Sequence, residues 1–232
     1  NTAGAGKTAP HYEMRNGMEN INHHLNDSLL MGYASGNLPE GFSLVVATHI
    51  SLCDECRARL ESFNAVGGAL MEDDDAVEMA EDSLASTYEL IANMPEAPKR
   101  TVPTKGTVLP TPLQNYVGGD LDKVRWRKLG GGVKQAVLKT SNQATVRLLQ
   151  IPAGAAMPDH GHRGTELTLV LKGAFRDEDG RFGRGDIEIA NEDLHHTPVA
   201  EGGEDCICLA ATDAPLRFRR LIPRMAQPFL GI

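Results

Sequence analysis

Residues 154–173 read GAAMPDHGHRGTELTLVLKG, and this stretch decides the fold of the C-terminal half of the chain. His160 and His162 stand two apart, so on a strand both rings face one side. Glu166 opens the apolar run that follows and can face the same cavity from the next strand. A later stretch, GDIEIANEDLHH at 185–196, ends in His195 and His196 and offers a further imidazole from another strand. Three imidazoles and one carboxylate suit zinc, manganese, iron or nickel, and the donor types alone do not choose among them.

The flanking sequence is patterned for strands. Val124–Leu129, Ala136–Lys139, Ala144–Ile151, Glu166–Leu171, Asp186–Ala190 and Cys206–Ala211 are apolar runs of strand length. Gly130-Gly131-Gly132, Gly154, Gly173 and Asp177–Gly180 separate them, so residues 113–232 are predicted to form a β-sandwich or barrel. Gly154, His160, His162, Glu166 and Gly173, with the 185–196 stretch behind them, resemble the two metal-binding motifs of the cupin family. The resemblance implies His160, His162, Glu166 and a histidine of the second motif as ligands. Counted from Gly185-Asp186, that histidine is His196 rather than His195. Many cupins carry proline ahead of the second-motif loop, where this chain has Ala190-Asn191.

Moving towards the N-terminus, residues 95–112 hold Pro95, Pro98, Pro103, Pro110 and Pro112 with Lys and Thr between them. That composition predicts a semi-extended linker, and the charge of the chain changes there. From Met18 to Met94 there are fourteen Asp/Glu against two Lys/Arg, whereas from Pro95 to Ile232 there are sixteen against nineteen. With the +1 of residues 1–17, the net charge of −8 is therefore the sum of one strongly acidic module, at −12, and one slightly basic one, at +3. An acidic module does not bind nucleic acid directly, because phosphate binding needs Lys and Arg. It can attract a basic protein, including one that itself binds DNA. No apolar run is long enough to span a bilayer, no signal peptide is evident, and four cysteines in 232 residues are too few for a disulfide framework. The expectation is a cytoplasmic protein with no membrane contact. Residues 1–17 are patternless, read as a tag remnant, and are set aside with His11.

The acidic module, 18–94, reads as about four short helices. Leu25, Leu29, Leu30 and Tyr33 mark the first, which Gly36-Asn37 stops. Pro39-Glu40 opens a second through Ile50, a third runs from Asp54 towards Leu70, and a fourth carries Met79, Leu84, Tyr88, Leu90 and Ile91. So small a core needs a staple such as a metal or a partner. The stretch HISLCDEC, residues 49–56, offers one. His49 and Cys53 lie one helical turn apart and Cys56 follows at the next helix start, so three zinc donors converge. The fourth is His23 or His24, with His24 favoured by its place just before the apolar positions.

HISLCDECR, preceded by HHLNDSLLMGYASGNLPEGFSLVVAT, resembles the family of zinc-binding anti-sigma factors, including members with a C-terminal cupin-like domain. The resemblance implies zinc at His24, His49, Cys53 and Cys56 and a second metal, zinc or Mn, Fe or Ni, in the cupin-like domain. It also implies a one-to-one complex with an extracytoplasmic function sigma factor, whose access to RNA polymerase and promoter DNA is blocked. Release would follow oxidative stress such as singlet oxygen, sensed through the cupin-like domain. No catalytic residues are assigned, because the sequence shows no nucleophile or acid–base pair beyond the metal ligands. The alternative is a dioxygenase-like cupin metalloenzyme with a zinc-stabilised oligomerisation module. Cys206 and Cys208, two apart on one strand face, read as buried small hydrophobes, with a pair of oxidisable thiols as the other reading. Met157 reads as cavity lining, and Arg217, Arg219, Arg220 and Arg224 as a solvated face or a contact with the acidic module. The expected fold class is multidomain α and β.

Overall fold

The computed structural model describes residues 20–95, 106–215 and the backbone of 217–218. The tag reading of 1–17, most of the 95–112 linker, and Arg219, Arg220 and Arg224 fall outside the described residues. Four helices occupy the N-terminal part: α1 Asp27–Ala34, α2 Glu40–Ile50, α3 Asp54–Glu72 and α4 Ser83–Ala92. Asn26 caps α1 by accepting the N–H of Leu29 at 2.9 Å, and Gly36 ends it with φ +69. The fourth helix starts at Ser83, so Met79 lies ahead of it rather than within it.

A fifth helix, α5 Thr111–Val117, stands where the sequence predicts the end of the linker and the start of the β-domain. The prolines explain the difference: Pro112 sits in the first turn, where a missing N–H costs nothing, and Gly118 closes the helix at φ +82. Leu113 on this helix is fully buried.

The C-terminal part is built from strands β1 Arg127–Gly130, β2 Val133–Leu138, β3 Thr145–Ile151, β4 His160–Gly161, β5 Glu166–Lys172, β6 Phe175–Asp177, β7 Gly180–Phe182, β8 Ile187–Ala190, β9 His195–His196, β10 Val199–Ala200, β11 Cys206–Thr212 and β12 Arg217–Phe218. The main sheet has the order β1-β2-β3-β11-β5-β8, and two three-stranded sheets run β10-β6-β7 and β12-β4-β9. Every pairing is antiparallel.

Side-chain alternation sorts the core into two layers. Val170, Cys206 and Cys208 turn inward against Phe175 and Phe182 of the small sheet, with Met157 packed at the margin. Leu167, Leu169, Leu171, Ile207 and Leu209 turn the other way and share a core with Leu30, Phe42, Val45 and Val46 of the helices and with Leu25 just ahead of α1. Burial on both faces is why β5 and β11 read as unbroken apolar runs. The acidic helices and the sheet thus share one core across the charge boundary, and the sheet supplies α1–α3 with packing surface that 70 residues could not supply themselves.

Close backbone approach fixes this docking. Gly185 has φ +91, and a Cβ there would stand 2.6 Å from the Ile21 side chain. Gly185→Val therefore strains the backbone and pushes residues 20–24 off the sheet. The expected cost is about 2 kcal/mol or more, checked by thermal unfolding together with protease sensitivity of the N-terminal segment.

Candidate metal centres

The first cluster is assembled from three elements. His24 comes from the extended chain before α1, His49 from the last turn of α2, Cys53 from the N-cap of α3 and Cys56 from its first turn. One donor atom from each lies within 4.8 Å of all the others. The His24 Nδ1 is 3.3 Å from Cys53 Sγ and 3.7 Å from Cys56 Sγ. The Cys56 N–H donates to Cys53 Sγ at 3.4 Å, so that sulfur sits where a helix N-terminus favours negative charge. Arg59 braces the group by donating to the Leu25 carbonyl at 2.9 Å and pairing with Asp27.

His49 is the most telling member. It is 0% exposed, and neither ring nitrogen has a hydrogen-bond partner. A buried imidazole left so is costly unless something else takes its lone pair. Burial lowers its pKa to about 4, so it is a neutral donor at pH 7. Burial raises the Cys56 thiol to about 11, with Cys53 adding to the effect, so a cation must displace that proton. Two imidazoles and two thiols fit a tetrahedral N2S2 site. His23, the alternative ligand, points away and lies against Phe182 with ring centroids 4.2 Å apart.

The second cluster lies inside the β-domain, on β4 and β9 and the residue after β4. His160 pairs with His196 in register, and Gly161 with His195. The His196 Nε2 is 3.2 Å from the His160 Nε2 and 3.4 Å from the His162 Nε2. All three rings are buried. His160 donates from Nδ1 to the Pro158 carbonyl at 2.8 Å, which leaves its Nε2 unprotonated towards the centre. Burial lowers the pKa of His160, and that of His162 to about 4. His195 is exposed and lays its ring over Gly161, so it is not part of the cluster.

Glu166 is adjacent to this cluster but not converged on it. Its Oε2 is 3.7 Å from His162 Nδ1, and its Oε1 accepts from the Thr168 hydroxyl at 3.1 Å. Two other carboxylates, absent from the sequence reading, take the Nδ1 side of His196: Asp177 Oδ2 at 2.8 Å and Glu188 Oε1 at 3.0 Å. Burial lowers the His196 pKa, but Glu188 and Asp177 more than offset it and raise the ring to about 9. Burial raises Glu188 to about 7. The missed signal was legible: in Ile187-Glu188-Ile189 both isoleucines face the helices, which sends the glutamate inward. Cys206 and Cys208 are buried free thiols with sulfurs 3.5 Å apart, and the Cys206 contact and burial hold Cys208 protonated.

These features define a class: a cupin-like β-domain whose outer sheet face carries a helical unit with its own N2S2 donor set. The profile of the ChrR cupin-like domain matches residues 114–215. The anti-sigma-E factor ChrR of Cereibacter sphaeroides is 59% identical over 214 residues, covering 91% of this chain and 99% of that protein. The crystal structure of Rhodobacter sphaeroides SigE in complex with the anti-sigma ChrR aligns with a TM-score of 0.72 at 59% identity. It covers 84% of this chain and all of the matched one. The chain belongs to the ChrR family. Among the described residues, no helix is long and apolar enough to cross a membrane.

Proposed function

We propose that this chain is an anti-sigma factor, acting in the cytoplasm by binding and not by turnover. It sequesters an extracytoplasmic function sigma factor one to one and blocks that factor's association with RNA polymerase and promoter DNA. The observation that carries this reading is the 59% identity to ChrR over nearly that protein's whole length, the matched structure being one with SigE.

The surface chemistry supports it. No residue of α4 is buried, and Leu84, Tyr88 and Ile91 form one apolar face at helical spacing. Val66 and Leu70 extend α3 in the same exposed manner. An apolar surface of this kind marks a protein-binding site. The acidity of residues 18–94 suits a sigma factor, whose DNA-binding surface is basic.

Zinc is the metal proposed for His24, His49, Cys53 and Cys56. When bound, it ties α2, α3 and the segment before α1 into one arrangement. His160, His162 and His196 would hold a second divalent metal, with Glu166, beside His162, as the fourth ligand. The cupin-like domain is read as the receiver of an oxidative signal such as singlet oxygen, which ends inhibition. On this reading His160→Ala still binds the sigma factor, but its promoter no longer responds to photo-oxidative stress. The checks are a binding isotherm on the purified chain and a reporter assay in cells. Induction equal to wild type would remove the cupin-like centre from the signal route.

A further inference from the structure

His23 and His24 are adjacent, and the structure gives them opposite partners. Both lie in the non-helical segment ahead of α1, and their side chains go to opposite sides. His24 turns to the thiols of Cys53 and Cys56. His23 turns to the cupin-like domain, where its ring lies on Phe182 and its Nε2–H donates to the Arg181 carbonyl at 3.1 Å. The backbone is clamped at the same place. Asp186 Oδ1 accepts the N–H of Asn22 at 2.6 Å and of His23 at 2.9 Å, and the Ile187 N–H donates to the His23 carbonyl at 3.3 Å. The other Asp186 oxygen accepts from the Gly183 N–H at 2.8 Å, which fixes the carboxylate.

Asp186 stands immediately before β8. Two residues on, Glu188 of that strand reaches the Nδ1 of His196 in the second cluster. This one stretch of chain therefore reaches His196 through a buried carboxylate and holds the backbone next to His24 through a clamp.

We propose that residues 22–24 form a strap between the two centres, with His23 and Asp186 as its positioning residues and β8 as the link to His196. Through it, the state of the cupin-like cluster sets how firmly the N-terminal cluster holds its metal. The inference rests on reading both clusters as metal centres, and it gives a physical path for a signal received in the β-domain.

The test uses the full chain loaded with cobalt(II). Thiolate-to-cobalt absorption reports the N-terminal cluster, because the histidine cluster contains no thiol. The rate at which a chelator bleaches that absorption is measured in wild type, His160→Ala, His23→Ala and the double variant. His160→Ala, which removes a donor more than 100 residues along the chain from the N-terminal cluster, is expected to speed bleaching about five-fold, as is His23→Ala. The double variant is expected to be no faster than either alone, since both break one path. Asp186→Ala behaves like His23→Ala, whereas Asp186→Asn, which keeps an oxygen for the Asn22 and His23 N–H groups, stays near wild type. A bleaching rate unmoved by His160→Ala, or single effects that multiply in the double variant, overturns the strap while leaving the metal reading intact. A wild-type chain that binds no cobalt at the thiols overturns both.

Discussion

Replacing Cys53 or Cys56 by alanine is expected to abolish inhibition of the sigma factor, with binding weakened at least about 100-fold, or roughly 2.7 kcal/mol. Each substitution removes a donor from a group whose atoms all lie within 4.8 Å and leaves His49 buried with no partner for either nitrogen. Structural zinc contributes on the order of 10 kcal/mol to folding in small zinc domains. Here part of that is backed by the sheet, since Leu30, Phe42 and Val45 pack on it. The variants are therefore expected to keep a folded β-domain while α3 and the segment bearing His24 come loose. Transcription from the sigma-dependent promoter, run with purified components, reads the loss of inhibition, and metal analysis reads the loss of zinc. A Cys53→Ala chain that inhibits as well as wild type removes the N2S2 cluster from the inhibitory mechanism.

The second large effect separates binding from folding. Leu84, Tyr88 and Ile91 are 67%, 64% and 58% exposed, so replacing all three by aspartate costs the isolated chain little stability. On the proposed reading the same side chains are apolar anchors in the complex, and such residues each carry about 2 kcal/mol or more when they are central to an interface. The triple variant is expected to lose about 1,000-fold in affinity for the sigma factor, measured by titration calorimetry, with its melting temperature unchanged. Retained affinity would place the interface elsewhere than α4.

Much of the β-domain was legible because its longest strands are buried on both faces. Glu166–Leu171 and Cys206–Ala211 are continuous apolar runs, and such runs announce themselves without knowledge of what covers them. What covers the outer face was not legible: that Leu167, Leu169 and Leu171 meet Phe42 and Val45 depends on the fold closing over more than a hundred residues. The two-residue strands β4 and β9 were equally hidden, since only their pairing with each other, and of β4 with β12, defines them. Helix α5 was lost among prolines whose meaning changes with position, a breaker inside a helix and a starter in its first turn.

The candidate sites divide in the same way. Local spacing brought out His49, Cys53 and Cys56, because one helix end and the next helix start place them together. Spacing could not say which of His23 and His24 turns inward, because a strand-like segment shows alternation but not its phase. Asp177 escaped because its role exists only through the Nδ1 of His196, and a separation of 19 residues carries no motif; the inward turn of Glu188 follows from Ile187 and Ile189 on either side, but its pairing with His196 does not.

The central claim is that this chain holds a sigma factor, and the most direct measurement is to purify it from its native cells and identify its partner by mass spectrometry. The account predicts a single extracytoplasmic function sigma factor at one-to-one stoichiometry, together with zinc bound by the N-terminal thiols. A chain that purifies alone, or with a partner that is not a sigma factor, would contradict it.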